Sequence, residues 1–459
     1  MKSIALCLVA CLAVLPHADG QLAAAEQPNI ILIVGDDMGY ADLGVHGCQD
    51  IPTPHIDALA ASGVRFTNGY VSGPYCSPTR AGLLTGRYQT RFGHEFNCGG
   101  REGSDTGLPL SEKTLADRLK AAGYHTAMVG KWHLGNGDKF HPLSRGFDEF
   151  FGFLGGAHSY FPGDGAPILR GRASVDEQAY LTDAFTREAV EFINRQKDGN
   201  KPFFMYLTYN AVHTPMHADD PRLEKFAAIK DKKRRTYVAM MSAMDDGVGA
   251  VMKKLQETGL AENTLVAFIS DNGGPTMRGV TVNGADNAPL RGSKRTTLEG
   301  GVRVPFFVAW PGRISPGQVY ELPVIQLDLF STAIAAAGVA PQEDWNVEGV
   351  DLTPHLSGAK TEPPHDALYW RFGQQMAIRK GDWKLVAYDP AVEGGKGKAT
   401  PQKLYNLAED IGEERNLIAE HPEKARELQA AWDEWNKQNV PPKWGGRSGK
   451  RTARRARAG

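Results

Sequence analysis

The sequence predicts an α/β fold: a large central mixed, mostly parallel sheet flanked by helices, with a smaller C-terminal subdomain of antiparallel strands and a helix. Two patterns predict it. Short apolar runs alternate with helical patterns until about Pro341, and beyond that point polar and apolar residues alternate at period two. With 459 residues, 41% hydrophobic content and a formal net charge of -1, the chain is long enough for two structural units.

The strands predicted for the large sheet are five buried-type apolar runs: "NIILIVG" from Asn29, "HTAMVG" from His125, "PFFMYLTY" from Pro202, "TLVAFIS" from Thr264 and "VPFFVAW" from Val304. The helical patterns between them are "TPHIDALAASG" from Thr53, "TLADRLKAAGY" from Thr114 and "TDAFTREAVEFINRQ" from Thr182. This alternation is what favours a parallel sheet with helical crossovers.

The C-terminal region has a different pattern. Three alternating segments, "ALYWRF", "QMAIRKGDWKLVAY" and "QKLYNL", predict a small antiparallel sheet. The following "EHPEKARELQAAWDEWNKQ" predicts a helix whose apolar face carries Ala425, Leu428, Trp432 and Trp435. We therefore interpret the two tryptophans as packing residues rather than as sugar platforms.

The chain ends predict export and a solvated tail. "MKSIALCLVACLAVLPHADGQ" has the charged, apolar and small-residue regions of a signal peptide, assigned to residues 1–20, so we expect a periplasmic or secreted protein. Lipid attachment at Cys11 is a less favoured alternative. We assign residues 27–340 to the N-terminal domain, 341–440 to the C-terminal subdomain and 441–459 to a disordered basic tail. The near-zero charge disfavours nucleic acid as a partner, and no later run is long enough for a membrane span.

Polar side chains suited to ion binding follow four of the predicted strands. Read singly, each is equally typical of a turn or of a structural histidine, but their shared position at strand ends favours one crevice. The oxygen ligands suit calcium, or magnesium, rather than zinc. The groups at the strand ends are Asp36 and Asp37, Lys131 and His133, His213, and Asp271 with Asn272.

Cationic residues extend this predicted crevice. Arg80, Lys131 and Lys294 would surround the metal, and this combination suits a phosphate or sulfate ester, whose oxygens carry negative charge. Loss of the signal peptide leaves three cysteines, Cys48, Cys76 and Cys98. The odd number singles out one thiol, and if that is Cys76, the other two are candidates for a disulfide that the sequence alone does not establish.

The segment "CSPTRAGLLTGRY" from Cys76 contains Cys-x-Pro-x-Arg and resembles the signature of the formylglycine-dependent sulfatases of the alkaline phosphatase superfamily. The resemblance extends from "PNIILIVGDDMGYADLG" to "KLYNLAEDIGEERNL". It implies that a formylglycine-generating or sulfatase-maturing enzyme oxidises Cys76 to Cα-formylglycine. It also implies a calcium site formed by Asp36, Asp37, the modified Cys76, Asp271 and Asn272.

The resemblance further implies an arylsulfatase-type sulfuric ester hydrolase. Arg80 would stabilise the formylglycine hydrate, while Lys131 and His133 would bind sulfate. One hydroxyl of the gem-diol attacks sulfur, and the other later expels sulfate. We assign His213 and Lys294 to protonation of the leaving group, and His133 to support of the gem-diol.

The expected substrate is a sulfated oligosaccharide or an aryl sulfate. One alternative is a phosphonate monoester or phosphodiester hydrolase of the same superfamily, although those relatives typically have histidine where this chain has Asn272. Another is a non-catalytic protein that binds sulfated glycans. We also expect Glu299 and Arg303 to pair below the site. Candidate sugar contacts, each equally typical of an ordinary surface residue, are His94, Glu95, Asn97, His158, His217, Arg278 and Arg295.

Overall fold

The strands and helices follow the predicted alternation. The computed structural model describes residues 27–98, 105–163 and 165–445, so the predicted signal peptide and residues 446–459 of the predicted tail lie outside the described residues. The strands are Asn29–Gly35 (β1), Val64–Phe66 (β2), Gly69–Tyr70 (β3), His125–Lys131 (β4), Glu149–Phe153 (β5), Ile168–Arg170 (β6), Ala173–Val175 (β7), Phe203–Thr208 (β8), Thr264–Ser270 (β9), Phe306–Ala309 (β10), Gln318–Tyr320 (β11), Val324–Ile325 (β12), Leu368–Phe372 (β13), Gln375–Lys380 (β14), Trp383–Ala387 (β15) and Lys403–Asn406 (β16).

The helices lie mostly in the crossovers between the strands of the large sheet. They are Pro54–Ala61 (α1), Cys76–Thr85 (α2), Leu115–Ala121 (α3), Leu181–Gln196 (α4), Asp220–Lys225 (α5), Lys232–Glu257 (α6), Glu299–Val302 (α7), Leu327–Ala336 (α8), Thr353–Leu356 (α9) and Pro422–Lys437 (α10).

The large sheet is mixed and mostly parallel, as predicted. Its strand order is β11-β2-β10-β9-β1-β8-β4-β5-β6-β7, and the central strands from β9 to β5 are parallel. β10 pairs antiparallel to β9 on one side, and β6 pairs antiparallel to β5 on the other. The carboxyl ends of the five central strands therefore lie at one edge of the sheet, which is where such sheets place their ligand sites.

Both faces of the sheet are covered, and this explains the continuous apolar runs of the central strands. Along β1, Ile31 and Ile33 pack into a core with α1, α4 and α6. Their neighbours Ile30 and Leu32 point to the opposite face and pack into a second core with α2, α3 and α8. Each apolar side chain buried this way contributes roughly 1.5–3 kcal/mol to the hydrophobic driving force.

The C-terminal sheet is a separate antiparallel meander, β13-β14-β15-β16, with α10 packed against it. The ring of Trp435 stacks on Tyr369, with centroids 5.1 Å apart, and Trp432 donates its indole N–H to the Trp370 carbonyl. The interpretation of both tryptophans as packing residues is confirmed. The domain boundary at residue 340 stays a prediction. Within the described residues, no helix is both long and apolar enough to cross a membrane.

A buried ion group joins the C-terminal sheet to the large domain. The Lys384 ammonium lies 2.7 Å from Glu299 Oε1 and 2.9 Å from Glu413 Oε1, and all three side chains are fully buried. Glu413 also accepts a hydrogen bond from the Glu299 backbone N–H. Arg303 lies 3.3 Å from Glu299, so the predicted pairing of these two residues is present. We call Lys384, Glu299 and Glu413 the Lys384 triad.

Candidate active site

The strand ends bring the predicted site residues together. Asp36 follows β1 and Asp271 follows β9; these strands are neighbours in register, with Gly35 opposite Ser270. Lys131 is the last residue of β4, and it forms an ion pair with Asp36. Because parallel strands place successive carboxyl ends side by side, residues distant in sequence become neighbours in one crevice.

Cys76 lies at the centre of this crevice. It is the first residue of α2, it is 1% exposed, and its Sγ is 3.7 Å from Asp36 Oδ1. One potential ligand atom from each of four residues lies within 4.8 Å of the others: Asp36, Asp37, Cys76 and His213. Burial, together with the charge of Asp271, raises the pKa of the Cys76 thiol well above its usual value. The unmodified thiol is therefore protonated at neutral pH and a poor nucleophile.

The oxygen ligands form a set that fits a hard cation. Asp37, held at a φ of 63°, lies 2.7 Å from the Lys294 ammonium and accepts a hydrogen bond of 2.7 Å from Asn272 Nδ2. The other side-chain atom of that amide, Asn272 Oδ1, is buried and has no hydrogen-bond partner among the described residues. A cation such as calcium or magnesium would accept this oxygen together with the carboxylates of Asp36, Asp37 and Asp271.

Arg80 is the best-anchored cation of the site. Its Nε and Nη2 donate to Asp271 Oδ2 at 3.0 and 2.9 Å, and its Nη1 donates to the Lys131 carbonyl at 3.0 Å. Burial and the charge of Asp36 raise the pKa of Asp271 to about 6, although Arg80 opposes this. At Asp36 burial also disfavours ionisation, but Lys131, His213 and Arg80 outweigh it and lower the pKa. Asp36 is therefore the more firmly ionised of the two carboxylates.

The two histidines follow the carboxyl ends of the neighbouring parallel strands β4 and β8. His213 Nδ1 is 2.5 Å from the Thr214 carbonyl, which only accepts, so Nδ1 carries the proton and Nε2, 3.6 Å from Asp37, has a free lone pair. His133 is buried at a φ of 56°, and its Nδ1 has no partner among the described residues. Burial lowers the pKa of both imidazoles, and Lys131 adds to the effect at His133. Both rings are neutral at neutral pH in this arrangement.

Two of the predicted sugar contacts are wrong. His94 is fully buried, with Nε2 at 2.5 Å from the Ser77 hydroxyl beside Cys76. Glu95 is 1% exposed and forms an ion pair with Arg371. His94 is used in packing against the first turn of α2 and Glu95 in a contact with the C-terminal sheet, and sequence patterns do not reveal that kind of polar burial.

The remaining predicted sugar contacts occupy three places. Asn97 accepts a hydrogen bond from the Ser77 N–H, so its carbonyl is used within the fold. His158 and His217 are partly exposed on the loop side near β5 and β8. Arg278 is exposed, whereas Arg295 is partly buried beside the ring of Tyr75.

The three cysteines that the structure describes form no disulfide. Cys98 Sγ is buried and lies 3.4 Å from the His133 carbonyl, while Cys48 is partly exposed and bonds to Asp50. The candidate pairing of Cys48 with Cys98 is therefore absent. Each thiol has its own polar neighbour in a different part of the fold.

Sequence reasoning missed two residues that shape the pocket. Tyr75 occupies the N-cap position of α2 with no capping side-chain bond, and its ring centroid lies 5.4 Å from Lys294 Nζ. An aromatic residue at a position that prefers Ser, Thr, Asp or Asn was a usable signal. Gln375 donates to the Arg295 carbonyl at 2.9 Å and thereby supports the loop of Lys294. Because the two residues are 80 positions apart, no local pattern predicted this contact.

Comparison with known proteins agrees with this arrangement. Residues 28–339 match the family model named Sulfatase, and residues 292–438 match the C-terminal model of N-sulphoglucosamine sulphohydrolase. Human N-acetylgalactosamine-6-sulfatase is 37% identical over 387 residues, covering 80% of this chain and 72% of its own length. Human arylsulfatase A is 35% identical over 443 residues, covering 86% and 84%.

Solved structures extend the likeness to three dimensions. The crystal structure of Ps i-CgsB in complex with k-i-k-neocarrahexaose is 37% identical in sequence and superimposes with a TM-score of 0.86. The match covers 94% of this chain and 98% of that one. The family model alone spans more than half of this chain. The two curated relatives align with this chain over most of their own length. The chain therefore belongs to the sulfatase family of sulfuric ester hydrolases.

Proposed function

We propose that this protein hydrolyses sulfate esters of carbohydrates, with formylglycine derived from Cys76 as the nucleophile and calcium held by Asp36, Asp37, Asp271 and Asn272. The strongest support is the environment of Cys76. Its Sγ lies 3.7 Å from the buried carboxylate of Asp36, which is paired with Arg80 and Lys131. A thiol with a raised pKa reacts poorly there. An aldehyde hydrate, in contrast, offers a hydroxyl that needs no thiolate.

The position of Cys76 favours a negatively polarised nucleophile. It opens α2, whose N-terminal N–H groups and positive dipole end face this residue. Once present, calcium and hydrated formylglycine would supply a Lewis-acid charge and the attacking hydroxyl. The orphaned Asn272 Oδ1 supports the calcium part of the proposal, because a buried amide oxygen without a partner is rare in folded proteins.

The cations are suited to the charged oxygens of a sulfate group. Lys294 and Lys131 each lie against a carboxylate of the metal site, and Arg80 braces Asp271. Although burial opposes its charge, Asp37 and its neighbours raise the pKa of Lys294 well above the usual value, so it remains an ammonium. We assign it to binding sulfate oxygens and to supplying a proton near the leaving oxygen.

The two histidines differ in the proton they can handle. His213 has its Nδ1 proton committed to Thr214, so its Nε2 would take up a proton from solvent and then donate it to the leaving oxygen. His133 is buried near the nucleophile, and its neutral ring suits removal of a proton from the hydrate. We therefore assign the leaving-group proton to His213 and the hydrate proton to His133.

The substrate class follows from the relatives. One relative is named for sulfated N-acetylgalactosamine, and a similar structure holds a neocarrahexaose. We therefore propose a sulfated oligosaccharide met outside the cytoplasm, with export directed by the signal-like residues 1–20.

A pair of matched aryl esters tests the reaction. The protein, co-produced with a sulfatase-maturing enzyme, is incubated with an aryl sulfate and with the corresponding aryl phosphate and phenyl phosphonate, and the released anion is quantified. We expect sulfate release to be fastest by at least tenfold. Preferential release from the phosphorus esters would support the phosphohydrolase alternative. Binding of sulfated glycans without release from any ester would indicate a non-catalytic binder.

A further inference from the structure

We propose that Arg295 and Tyr75 form a subsite for a second anionic group of the substrate, a sulfate or a carboxylate close to the sugar position that carries the reacting ester. This inference rests on the proposed function, since it concerns the substrate of the same pocket. It defines the substrate class as an oligosaccharide with two anionic groups near one another.

Arg295 is partly exposed and lies beside the reaction centre. Its Cζ lies 5.9 Å from the centroid of the Tyr75 ring, and Lys294 Nζ lies 5.4 Å from the same centroid. Tyr75 immediately precedes Cys76 at the start of α2. The same ring therefore lies beside both the guanidinium and a cation of the reaction centre.

The charge of Arg295 is uncompensated, unlike that of its neighbours. Arg80, Lys131 and Lys294 each pair with a carboxylate. Within the described parts of the chain, no carboxylate lies within ion-pair distance of Arg295, and its Nη1 donates to the Gly279 carbonyl at 3.2 Å. A guanidinium has five N–H donors, so most of them remain available, and the side chain is partly exposed.

The backbone of Arg295 is held in a conformation that disfavours a side chain. Its φ is 72°, in the left-handed region. Two hydrogen bonds fix it there: its N–H donates to the Pro74 carbonyl at 2.7 Å, and its carbonyl accepts from Gln375 Nε2 at 2.9 Å. Glycine would adopt this conformation at lower cost. An arginine in its place indicates that the side chain has a use, and the two bonds fix the direction in which it leaves the backbone.

The chemistry of this pair suits a planar or tetrahedral anion attached to a sugar. A guanidinium donates two parallel hydrogen bonds to a carboxylate or a sulfate, and these charge-assisted bonds are among the stronger ones in proteins. The Tyr75 ring adds an apolar face beside the cation, which suits the C–H face of a sugar ring. A singly charged ester would fill the reaction centre and leave the Arg295 donors in water.

Arg295→Gly is the decisive variant, because glycine suits the backbone and removes only the side chain. We compare kcat/KM for an oligosaccharide with one sulfate and for the same oligosaccharide with a second sulfate or a neighbouring uronate. We expect the preference for the doubly charged substrate to fall about tenfold or more in Arg295→Gly. The preference of Arg295→Lys should lie in between, and the melting temperature of Arg295→Gly should be equal to or above that of the wild type.

Asn346→Gly is the matched control, since Asn346 is exposed, far along the chain and also has a positive φ, of 49°. It relieves the backbone in the same way and should leave the preference unchanged. An equal preference in Arg295→Gly and the wild type would overturn the proposal. If Arg295→Gly lowers the kcat/KM preference only for the substrate with the second sulfate, or only for the one with the uronate, that group is the ligand of the subsite.

A binding measurement separates this proposal from the proposed function. In the Cys76→Ala background, which cannot form the nucleophile, calorimetry compares the affinity for the doubly sulfated oligosaccharide with and without Arg295→Gly. Weaker binding in the double variant supports the subsite even if no ester is turned over. Equal binding rejects the subsite, whereas failure of the wild type to release sulfate from any ester rejects the proposed function.

Discussion

Replacing Lys384 with methionine removes the charge that lies between two buried carboxylates of the Lys384 triad. The Lys384 ammonium is 2.7 Å from Glu299 and 2.9 Å from Glu413, with all three side chains fully buried. Burial favours a neutral Glu299, but Lys384 and Arg303 hold its pKa at about 2. At Glu413, burial and the charge of Glu299 outweigh Lys384 and raise the pKa to about 7. Among the described residues, Glu413 therefore has Lys384 as its only ion-pair partner, whereas Glu299 also has Arg303.

The expected loss of stability is large. Removing one partner of a buried ion pair typically destabilises a protein by about 3–5 kcal/mol, because it leaves a charge buried without compensation. An unfolding entropy of ~2.1 cal/mol/K per residue gives roughly 1 kcal/mol/K for a chain of this length, so the melting temperature should fall by about 3–5 °C. The matched control is Lys437→Met, because Lys437 and its partner Glu434 are both exposed (71% and 69%) and loss of this pair should leave the melting temperature almost unchanged.

The loss should also depend on pH in a defined direction. Without Lys384, the folded-state pKa of Glu299 rises from about 2, and that of Glu413, already about 7, rises further above the unfolded value of 4.5. The folded variant then binds more protons than the unfolded chain above that pH, so its stability falls as pH rises. Thermal melting followed by circular dichroism should show a deficit that grows from pH 5 to pH 8. A deficit equal to that of Lys437→Met, or one constant with pH, would refute this reasoning.

Three further results are expected. Adding Glu413→Gln to Lys384→Met should recover part of the lost melting temperature, because the carboxylate left without an ion-pair partner is then neutral. Chelation with EDTA should abolish sulfate release and lower the melting temperature, and calcium at about 100 times its Kd should restore about 2.7 kcal/mol of stability; unchanged melting would contradict a metal at Asp36, Asp37, Asp271 and Asn272. Lys294→Ala should lower kcat by about 10²–10³, while Lys437→Ala should retain full kcat, and equal rates would contradict a role for Lys294 in the reaction.

Much of the fold was predictable because the central strands are buried on both faces. β1 and β9 are buried along their whole length, which gives the continuous apolar runs "NIILIVG" and "TLVAFIS". The two strands on the β11 side of the large sheet were not predicted. β2 and β11 have three residues each, too few to establish a period of two, and no residue of β11 is fully buried. Their pairing is set by the strands beside them rather than by their own sequence.

The site residues that follow parallel strands were predictable from the sequence. The residues whose burial depends on partners elsewhere in the fold were not. Aspartates after β1 and β9 necessarily meet when these strands are parallel neighbours, and the Cys-x-Pro-x-Arg segment was visible locally. The burial of His94 depends on its bond to Ser77, and that of Glu95 on Arg371. The Lys384 contact with Glu299 joins residues 85 positions apart. Contacts of this kind leave no periodic signal in the sequence.

The most direct test of the account compares the modification of residue 76 with the rate of turnover. Batches of protein produced with different amounts of a sulfatase-maturing enzyme are digested, and peptide mass spectrometry gives the fraction of Cys76 converted to the aldehyde. Sulfate release from an aryl sulfate is measured on the same batches. We expect the rate to rise in proportion to the converted fraction and to be near zero in Cys76→Ala. Equal rates in converted and unconverted protein would contradict formylglycine as the nucleophile.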